Sequence, residues 1–292
     1  GGAGYVGSVL TPLLIKEGYD VRVLDLFIYG EHVLDEVKGN PKLQIIKGDI
    51  RDVELLKKSL AGVDAVIHLA CISNDPSFEL NPDLARTINY DAFIPLVEIS
   101  KASGVKRFIY ASSSSVYGSS LNLPYSESDM SLRPLSFYGA TKLSNELLAA
   151  SLARNSNTKV RGLRFFTVYG EWGRPDMAYF RLINSALSGA EFTLFGDGAV
   201  KRDFTFIADV TKTVTKLLEQ LDSEDLGFHD VVNIGGGNPV SMNEMISLIS
   251  THSDSALRIN RIGQHLNDVQ NTEADPKYLQ SLIGFVPATN IG

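Results

Sequence analysis

Several features that define other classes of protein are scarce or absent in this chain of 292 residues. Its one cysteine, Cys71, excludes an intramolecular disulfide framework and a multi-cysteine zinc site. No apolar run approaches the roughly 20 residues that a membrane-spanning helix needs, and neither a signal peptide nor a tandem repeat is visible. The net charge of −7 argues against nucleic acid and anionic membrane surfaces as partners. We therefore expect a cytoplasmic globular protein that binds neither nucleic acid nor membrane.

The alternation of strand and helix patterns indicates the fold class. Apolar, β-branched runs typical of strands lie at residues 21–25, 43–50, 65–70, 107–111 and 160–166. Helical patterns separate them, and this alternation predicts an α/β fold with a parallel, doubly wound sheet. The alternation becomes irregular after residue 165. We therefore predict a cofactor-binding domain over residues 1–164 and a smaller substrate-binding lobe over residues 165–292, which interleaves with the sheet.

Glycines begin the sequence at a spacing typical of nucleotide-binding turns. Gly1, Gly4 and Gly7 form G-x-x-G-x-x-G before an apolar helical pattern. Glycine lets the backbone turn tightly and approach a pyrophosphate at the helix N-terminus. Because such a motif usually follows a strand, we expect that the first strand has been trimmed from this sequence. Asp25 follows at close to the spacing of about 20 residues expected for a carboxylate that binds a ribose 2′-hydroxyl, which favours NAD over NADP.

A tyrosine and a lysine at helical spacing form a candidate catalytic pair. Tyr138 and Lys142 lie four residues apart, so they share one face of a helix. A nearby ammonium lowers the pKa of a phenol from its usual value of about 10 and makes tyrosine a proton acceptor near neutral pH. Serines at residues 112–115 follow the strand at 107–111, at the edge of the sheet where ligands bind. Taken alone, the tyrosine–lysine spacing is more typical of a solvated helix face.

Together these motifs resemble the extended short-chain dehydrogenase/reductase family, and within it the nucleotide-sugar 4-epimerases. The matching segments are GGAGYVG at 1–7, ASSSSVYG at 111–118, SFYGATK at 136–142, RFFTVYGEWGRPDM at 164–177, FGDG at 195–198, KRDFTFIADV at 201–210 and NIGGGNPV at 233–240. The resemblance implies a Rossmann fold, a tightly held NAD and a nucleoside-diphosphate sugar, most often a UDP-sugar, in the C-terminal lobe. It also implies a homodimer built from two long helices, which we predict at residues 81–103 and 138–154.

The resemblance also assigns roles to individual residues. The catalytic residues that it implies are Ser113, Tyr138 and Lys142. The residues expected to hold NAD are Gly1, Gly4, Tyr5, Val6, Gly7, Asp25, Asp49, Ile50, Leu69, Ala70, Cys71, Tyr138 and Lys142. The substrate-binding residues that it implies are Ser114, Thr167, Arg174, Arg202 and Asp268. In the implied reaction the sugar 4-hydroxyl loses its proton to the tyrosine, hydride leaves C4, and its return to the opposite face inverts C4.

Two departures from the family pattern separate the subfamilies. Family 4,6-dehydratases carry an acid pair after the catalytic serine or threonine, where this chain has Ser114 and Ser115, so dehydration is disfavoured. Residues 167–177 are most similar to UDP-glucuronate 4-epimerases, but the loop at 71–77 lacks the arginine that is usual in those enzymes and suits a carboxylate. On the similarity of residues 167–177, UDP-glucuronate is the leading candidate substrate, and UDP-glucose and UDP-N-acetylglucosamine are the alternatives. The competing functions are a 4-keto-sugar reductase, a dehydratase and a non-catalytic NAD-binding regulator.

Overall fold

Parallel sheets form the framework of the computed structural model, which describes residues 1–154, 156–253, 257–263 and 271–292. The strands of the two parallel sheets in the first half are β1 (Val21–Asp25), β2 (Leu43–Lys47), β3 (Ala65–His68), β4 (Arg107–Ser113) and β5 (Lys159–Phe165), joined later by β9 (His229–Ile234). Strand β1 pairs with β2, and the order β3-β4-β5-β9 forms a four-stranded sheet in which every pairing is parallel. The predicted α/β fold with a parallel sheet is confirmed.

Helices cover both faces of the four-stranded sheet. The helices of the described residues are α1 (Tyr5–Lys16), α2 (Val53–Leu60), α3 (Asp75–Glu79), α4 (Pro82–Arg86), α5 (Phe93–Ala102), α6 (Phe137–Ala153), α7 (Ala178–Ser188), α8 (Ile207–Gln220), α9 (Met242–His252) and α10 (Lys277–Ile283). Of these, α7 and α9 pack on each other in the C-terminal part of the chain, away from this sheet. On β4, Ile109 belongs to the apolar core formed with α1 and α8, whereas Phe108 and Tyr110 belong to the core formed with α5 and α6. Successive side chains of a strand point to opposite faces, so β4 is buried on both sides. Within the described ranges, no helix has the length and apolar character needed to cross a membrane.

The chain after residue 165 divides between a smaller lobe and the large sheet. In the lobe, β6 (Thr167–Tyr169), β8 (Lys201–Phe206) and β10 (Pro239–Ser241) form one sheet, and β7 (Glu191–Phe195) pairs with β11 (Arg258–Ile262). By contrast, β9 pairs with β5, and α8 packs against α1. The two regions therefore share this part of the chain, while the domain boundary at residue 164 stays a prediction.

The long helical stretch predicted over residues 81–103 is present, and a π-helical turn divides it into two α-helices. Helix α4 is followed by a π-helical turn, Thr87–Asp91, before α5 begins at Phe93. The wider turn carries the buried Asn89, whose side chain hydrogen-bonds both the N–H and the C=O of Ile72 at 2.8 Å. A π-helical turn is often found at a functional site, and this one fixes the segment that follows β3.

A cavity of about 590 Å³ lies between β1 and β3. Val21 and Val23 of β1 line it on one side, and Ala65 and Ile67 of β3 line it on the other. Among the described strands, β1 pairs only with β2 and β3 only with β4. The cavity lies behind the glycine turn, and Tyr138 does not line it.

Candidate active site

Strand β4 and helix α6 bring the three predicted catalytic residues together. Ser113 is the last residue of β4, and Tyr138 and Lys142 lie on the buried side of α6. The Lys142 Nζ donates to the carbonyl of Ala111 at 2.8 Å and lies 5.7 Å from the centroid of the Tyr138 ring. Only 7% of Tyr138 and 3% of Lys142 are exposed. The lysine therefore presents a positive charge to a phenol that water barely reaches.

The electrostatics of Tyr138 differ from the prediction. Burial raises the pKa of the phenol, and the Lys142 ammonium and the Ser113 hydroxyl lower it by less. The lysine acts in the predicted direction, but the predicted net lowering of the tyrosine pKa is wrong, because lost hydration outweighs the attraction of one ammonium. Burial also acts to lower the pKa of Lys142, yet Cys71 and Glu146, together with the tyrosine, raise it overall. The lysine therefore keeps its charge.

The glycine turn before α1 has the form of an anion cradle. Gly4 caps the helix without a side chain, and the first turn contains no acidic residue, so no side chain of the cap or of the first turn neutralises the positive end of the helix. A Cβ atom on Gly7 would lie 2.5 Å from the Gly1 carbonyl oxygen, so packing of the turn requires this glycine. A Cβ atom on Gly4 would meet nothing closer than 3.6 Å, so the chain itself leaves room there. The turn fits the pyrophosphate of a dinucleotide.

Asp25, at the end of β1, is tied to the same turn. Its Oδ2 accepts the Ala3 N–H at 2.9 Å, and its Oδ1 accepts the Phe27 N–H at 2.8 Å. These two bonds fix the carboxylate beside the glycine turn. A dinucleotide whose pyrophosphate meets the helix N-terminus places its ribose at such a carboxylate.

The other residues predicted to contact the cofactor lie on neighbouring segments. They are Tyr5 and Val6 at the start of α1, Asp49 and Ile50 after β2, and Leu69, Ala70 and Cys71 after β3. Strands β2 and β3 end at Lys47 and His68, earlier than predicted, so the last five of these residues lie at the carboxyl edge of the sheets, where ligands bind. Arg51 donates to the Asp49 carboxylate at 2.5 Å and lowers its pKa. Asp49 is therefore already engaged by a cation of the chain.

The predicted substrate-binding residues lie on several elements. Ser114 begins a 3₁₀ turn directly after β4, and Thr167 begins β6. Arg202 lies on β8, and its Nη1 donates to the Lys201 carbonyl at 3.0 Å. Asp268 lies outside the described residues.

Arg174 links two loops beside the catalytic pair. Its Nε and Nη2 donate to the Asp176 carboxylate at 3.1 and 2.6 Å, and its Nη1 donates to the hydroxyl and the carbonyl of Ser73. Burial acts to lower the pKa of the guanidinium, but the bond to Asp176 raises it overall, with smaller contributions from Tyr138 and Cys71. The arginine is thus close enough to the tyrosine for their charges to interact.

Several contacts of the site were not predicted from the sequence. Asp75 accepts a hydrogen bond from Ser136 Oγ at 2.5 Å, and Ser136 caps α6 by accepting the Gly139 N–H at 3.0 Å. Glu146, one helical turn beyond Lys142, forms a buried ion pair with Arg164. A serine just before a helix is an N-cap signal that the sequence carries. Its partner Asp75 lies 61 residues away, which no local pattern reveals.

Comparison with known families agrees with this geometry. The model described as the NAD dependent epimerase/dehydratase family matches residues 1–235, which include every predicted site residue except Asp268. The chain belongs to this family. Its members are NAD-dependent, and the open glycine turn fits that cofactor, so the prediction of NAD is confirmed.

Individual members of the family are similar over the whole chain. A probable UDP-glucuronate 4-epimerase from Rhizobium meliloti is 31% identical, covering 100% of this chain and 92% of its own length. The UDP-glucuronic acid 4-epimerase from Bacillus cereus, solved with UDP-glucuronic acid and NAD, is 32% identical with a TM-score of 0.89, covering 99% of this chain and 92% of that one. MoeE5, solved with UDP-glucose and NAD, is 35% identical with a TM-score of 0.86, covering 100% and 93%. The predicted Rossmann-type family resemblance is confirmed.

Proposed function

We propose that this protein is a cytoplasmic, homodimeric, NAD-dependent epimerase that inverts C4 of a UDP-sugar, with UDP-glucuronate as its substrate. Membership of the family and the similarity to solved epimerases make it an NAD-dependent nucleotide-sugar epimerase. The observation that carries the assignment is the convergence of Ser113, Tyr138 and Lys142 in one buried site. The substrate, the residue roles, the dimer and the compartment are our proposals.

The side chains of the protein transfer the proton of the sugar hydroxyl and position the sugar and the cofactor. When bound, NAD supplies the acceptor and donor of the C4 hydride. Tyr138 takes the proton of the sugar 4-hydroxyl and returns it once C4 has the opposite configuration, while the neighbouring Ser113 hydroxyl holds that oxygen. Lys142 stays charged and favours the phenolate against the effect of burial. The glycine turn and Asp25 would hold the cofactor at the helix N-terminus and at the ribose.

Arg174 supports UDP-glucuronate as the substrate. The loop at residues 71–77 has no arginine of its own, but Arg174 enters from the loop after β6 and contacts it at Ser73. A guanidinium binds a carboxylate through two parallel hydrogen bonds, which a hydroxymethyl group does not match. Arg174 is paired with Asp176, so a sugar carboxylate would either bind the guanidinium together with Asp176 or take the place of Asp176. UDP-glucose and UDP-N-acetylglucosamine are the alternatives.

The decisive experiment offers the protein three substrates separately and without added cofactor. UDP-glucuronate, UDP-glucose and UDP-N-acetylglucosamine are incubated with the protein, and the C4 epimers are resolved by chromatography. We expect conversion of UDP-glucuronate with cofactor that the protein retains, and none by Tyr138→Phe. Conversion of another sugar alone would reject UDP-glucuronate. Failure with all three, together with NADH oxidation by a 4-keto sugar, would instead establish a reductase.

The homodimer is supported by exposed leucines on the helices that the resemblance assigns to the dimer contact. Leu84 of α4 is 40% exposed and Leu147 of α6 is 68% exposed. We expect Leu147→Glu to convert a dimer to a monomer in light scattering. Leu187→Glu, at a still more exposed site on α7, serves as the control and should leave the mass unchanged. A wild-type protein that is already monomeric would reject the proposal.

A further inference from the structure

Residues 72–79, here called the Asp75 segment, connect the substrate-binding lobe to the catalytic helix. On the lobe side, Asn74 Nδ2 donates to Asp176 at 2.8 Å, and Arg174 donates to Ser73. Asn74 has φ of +73°, in the left-handed region that few residues other than glycine adopt, and its side chain caps α3. The Asp75 segment therefore has a fixed conformation at its contact with the loop that carries Arg174.

On its other side, the Asp75 segment contacts the first turn of α6. Asp75 accepts the hydrogen bond from Ser136, the residue that caps this helix. Phe78 is 1% exposed, and its ring packs edge-on against Phe137 at 5.1 Å and Tyr138 at 6.4 Å between centroids. The hydrogen bond of Asp75 and the two ring contacts of Phe78 thus meet at the single turn that carries the tyrosine.

Charged and polar groups approach Tyr138 from four directions. Lys142 lies on its own helix, Ser113 comes from β4, Cys71 and Asp75 come from the chain after β3, and Arg174 comes from the loop after β6. Burial is the main cause of the raised pKa of the phenol, and the carboxylate of Asp75 adds to it. Asp75 therefore acts on Tyr138 through both geometry and charge.

We propose that Asp75 is a positioning residue for Tyr138. Asp75 holds the first turn of α6 on the Asp75 segment, and this segment links the tyrosine to the loop of Arg174. The inference rests on the proposed function, because turnover is its first readout. It adds to that function a physical connection between the loop that carries Arg174 and the proton acceptor. Neither Asp75 nor Ser136 needs to touch the substrate for this.

Two substitutions separate the hydrogen bond from the charge. Asp75→Asn keeps an acceptor oxygen for Ser136 and loses the charge, whereas Asp75→Ala loses both. We expect Asp75→Ala to lower kcat about tenfold with little change in KM, because a displacement of about 1 Å can cost about 100-fold and the loss of one hydrogen bond should move the turn by less. We expect Asp75→Asn to keep kcat within about threefold, since the hydrogen bond survives. Its acid limb in the kcat–pH profile should move to lower pH, because loss of a negative charge favours the phenolate.

Asp129→Ala is the matched control, because Asp129 accepts a hydrogen bond from the hydroxyl of Ser131 at 2.6 Å on an exposed loop. It should leave kcat unchanged. Equal kcat values for Asp75→Ala and Asp129→Ala would overturn the proposal, as would an Asp75→Asn variant as impaired as Asp75→Ala.

A second readout does not depend on the substrate. The NAD-loaded protein is labelled at the phenolic ring carbon of tyrosine, and the Tyr138 signal is assigned in nuclear magnetic resonance spectra by its loss in Tyr138→Phe. We expect its titration midpoint to be lower in Asp75→Asn than in the wild type. If the wild type converts no sugar, the proposed function fails, and this titration still tests Asp75. An unchanged midpoint in both Asp75→Asn and Asp75→Ala would overturn the inference, because neither the charge nor the hydrogen bond of Asp75 would then act on Tyr138.

Discussion

At the scale of single residues, burial and charge act in opposite directions on Tyr138. Burial raises the pKa of the phenol and Lys142 lowers it, with burial the larger effect. A buried site keeps the phenol protonated unless a nearby positive charge compensates for the hydration that the phenolate loses. The same burial strengthens the field of Lys142, because little water screens an ammonium in that site. The proximity of Lys142 therefore affects Tyr138 more strongly in this buried site than it would on a solvated helix face.

The first prediction concerns the phenolic oxygen. Tyr138→Phe removes the proton acceptor and leaves the ring that packs on Phe78, so the fold should persist. We expect kcat for C4 epimerisation to fall by about 10²–10⁴-fold, the usual range for loss of a general acid–base group. Steady-state kinetics with retained NAD measure the effect. Tyr19→Phe, whose hydroxyl donates to Glu219 far along the chain, is the control, and similar kcat values for the two variants would contradict the assigned role.

At the scale of elements, two glycines at the start of α1, the N-cap Gly4 and the helical Gly7, have different roles. A Cβ atom on Gly7 would lie 2.5 Å from Gly1 O and 2.6 Å from Gly2, both backbone groups that cannot rotate away. A Cβ atom on Gly4 would have 3.6 Å of clearance, and its φ of −83° suits alanine. Gly7 therefore serves the fold, whereas Gly4 keeps open the surface that faces a pyrophosphate.

The second prediction separates these two roles. Gly7→Ala should destabilise the protein by about 1–3 kcal/mol, the cost of overpacking. Gly4→Ala should leave stability unchanged or slightly increased, yet weaken NAD binding, because the new methyl group stands at the phosphate site. Thermal unfolding of the cofactor-free protein and NAD titration measure the two effects. Gly263→Ala, where nothing lies within 4 Å, is the control for both. Unimpaired NAD binding by Gly4→Ala would contradict the assignment.

The catalytic elements were predictable because their signals are local. The glycine spacing placed α1, and the apolar strand placed the serines at residues 112–115 at the edge of the sheet, while the family resemblance singled out Ser113 among them. The Asp75–Ser136 bond joins residues 61 positions apart, so only the folded chain brings it about. The π-helical turn at Thr87–Asp91 has no period of its own in the sequence. The net pKa shift of the tyrosine depends on the depth of its burial, which a spacing does not encode.

At the scale of the whole molecule, a buried polar network connects the large sheet, the catalytic helix and the loop after β4. Arg164 of β5 binds the Glu146 carboxylate of α6 at 2.8 and 3.0 Å and donates to the Tyr117 hydroxyl at 2.9 Å. Ser112 donates to Glu146 at 2.5 Å, and Tyr117 donates to Asn233 of β9 at 2.7 Å. Because the ion pair is nearly inaccessible to water, neither charge can lose its partner without being left unsolvated.

The third prediction tests this pair. Arg164→Met leaves Glu146 as an uncompensated buried charge, so the free energy of unfolding should fall by about 3–5 kcal/mol. Adding Glu146→Gln should restore part of the lost free energy of unfolding, because no unpaired buried carboxylate then remains. Arg86→Met, which breaks the exposed pair with Asp91, should cost less than about 1 kcal/mol. Denaturant unfolding measures all of them, and equal losses at the two arginines would show that burial of the pair has no energetic consequence.

The fourth prediction concerns the dependence of stability on pH. His68 lies within β3 beside Phe93, and burial, aided by Lys142, lowers its pKa to about 3. A histidine of the unfolded chain titrates near 6.5, so below that pH the unfolded state binds a proton that the folded state does not. The contribution of His68 to stability is therefore complete above pH 6.5 and is lost as the pH falls towards 3, at about 1.4 kcal/mol per pH unit.

His68→Met removes the titrating imidazole and so its pH-dependent contribution to stability, and it fills the site with an uncharged side chain of similar size. We expect its free energy of unfolding to fall less steeply than that of the wild type between pH 6.5 and the onset of acid unfolding. Carboxylates and the buried His229, whose pKa burial also lowers, are common to both proteins and cancel in the difference. His252→Met, at an exposed site on α9, is the control and should follow the wild-type slope. Parallel slopes for wild type and His68→Met would mean that His68 gains its proton without unfolding. The sheet edge beside Lys142 would then be open to water, and the same water would screen the lysine from Tyr138.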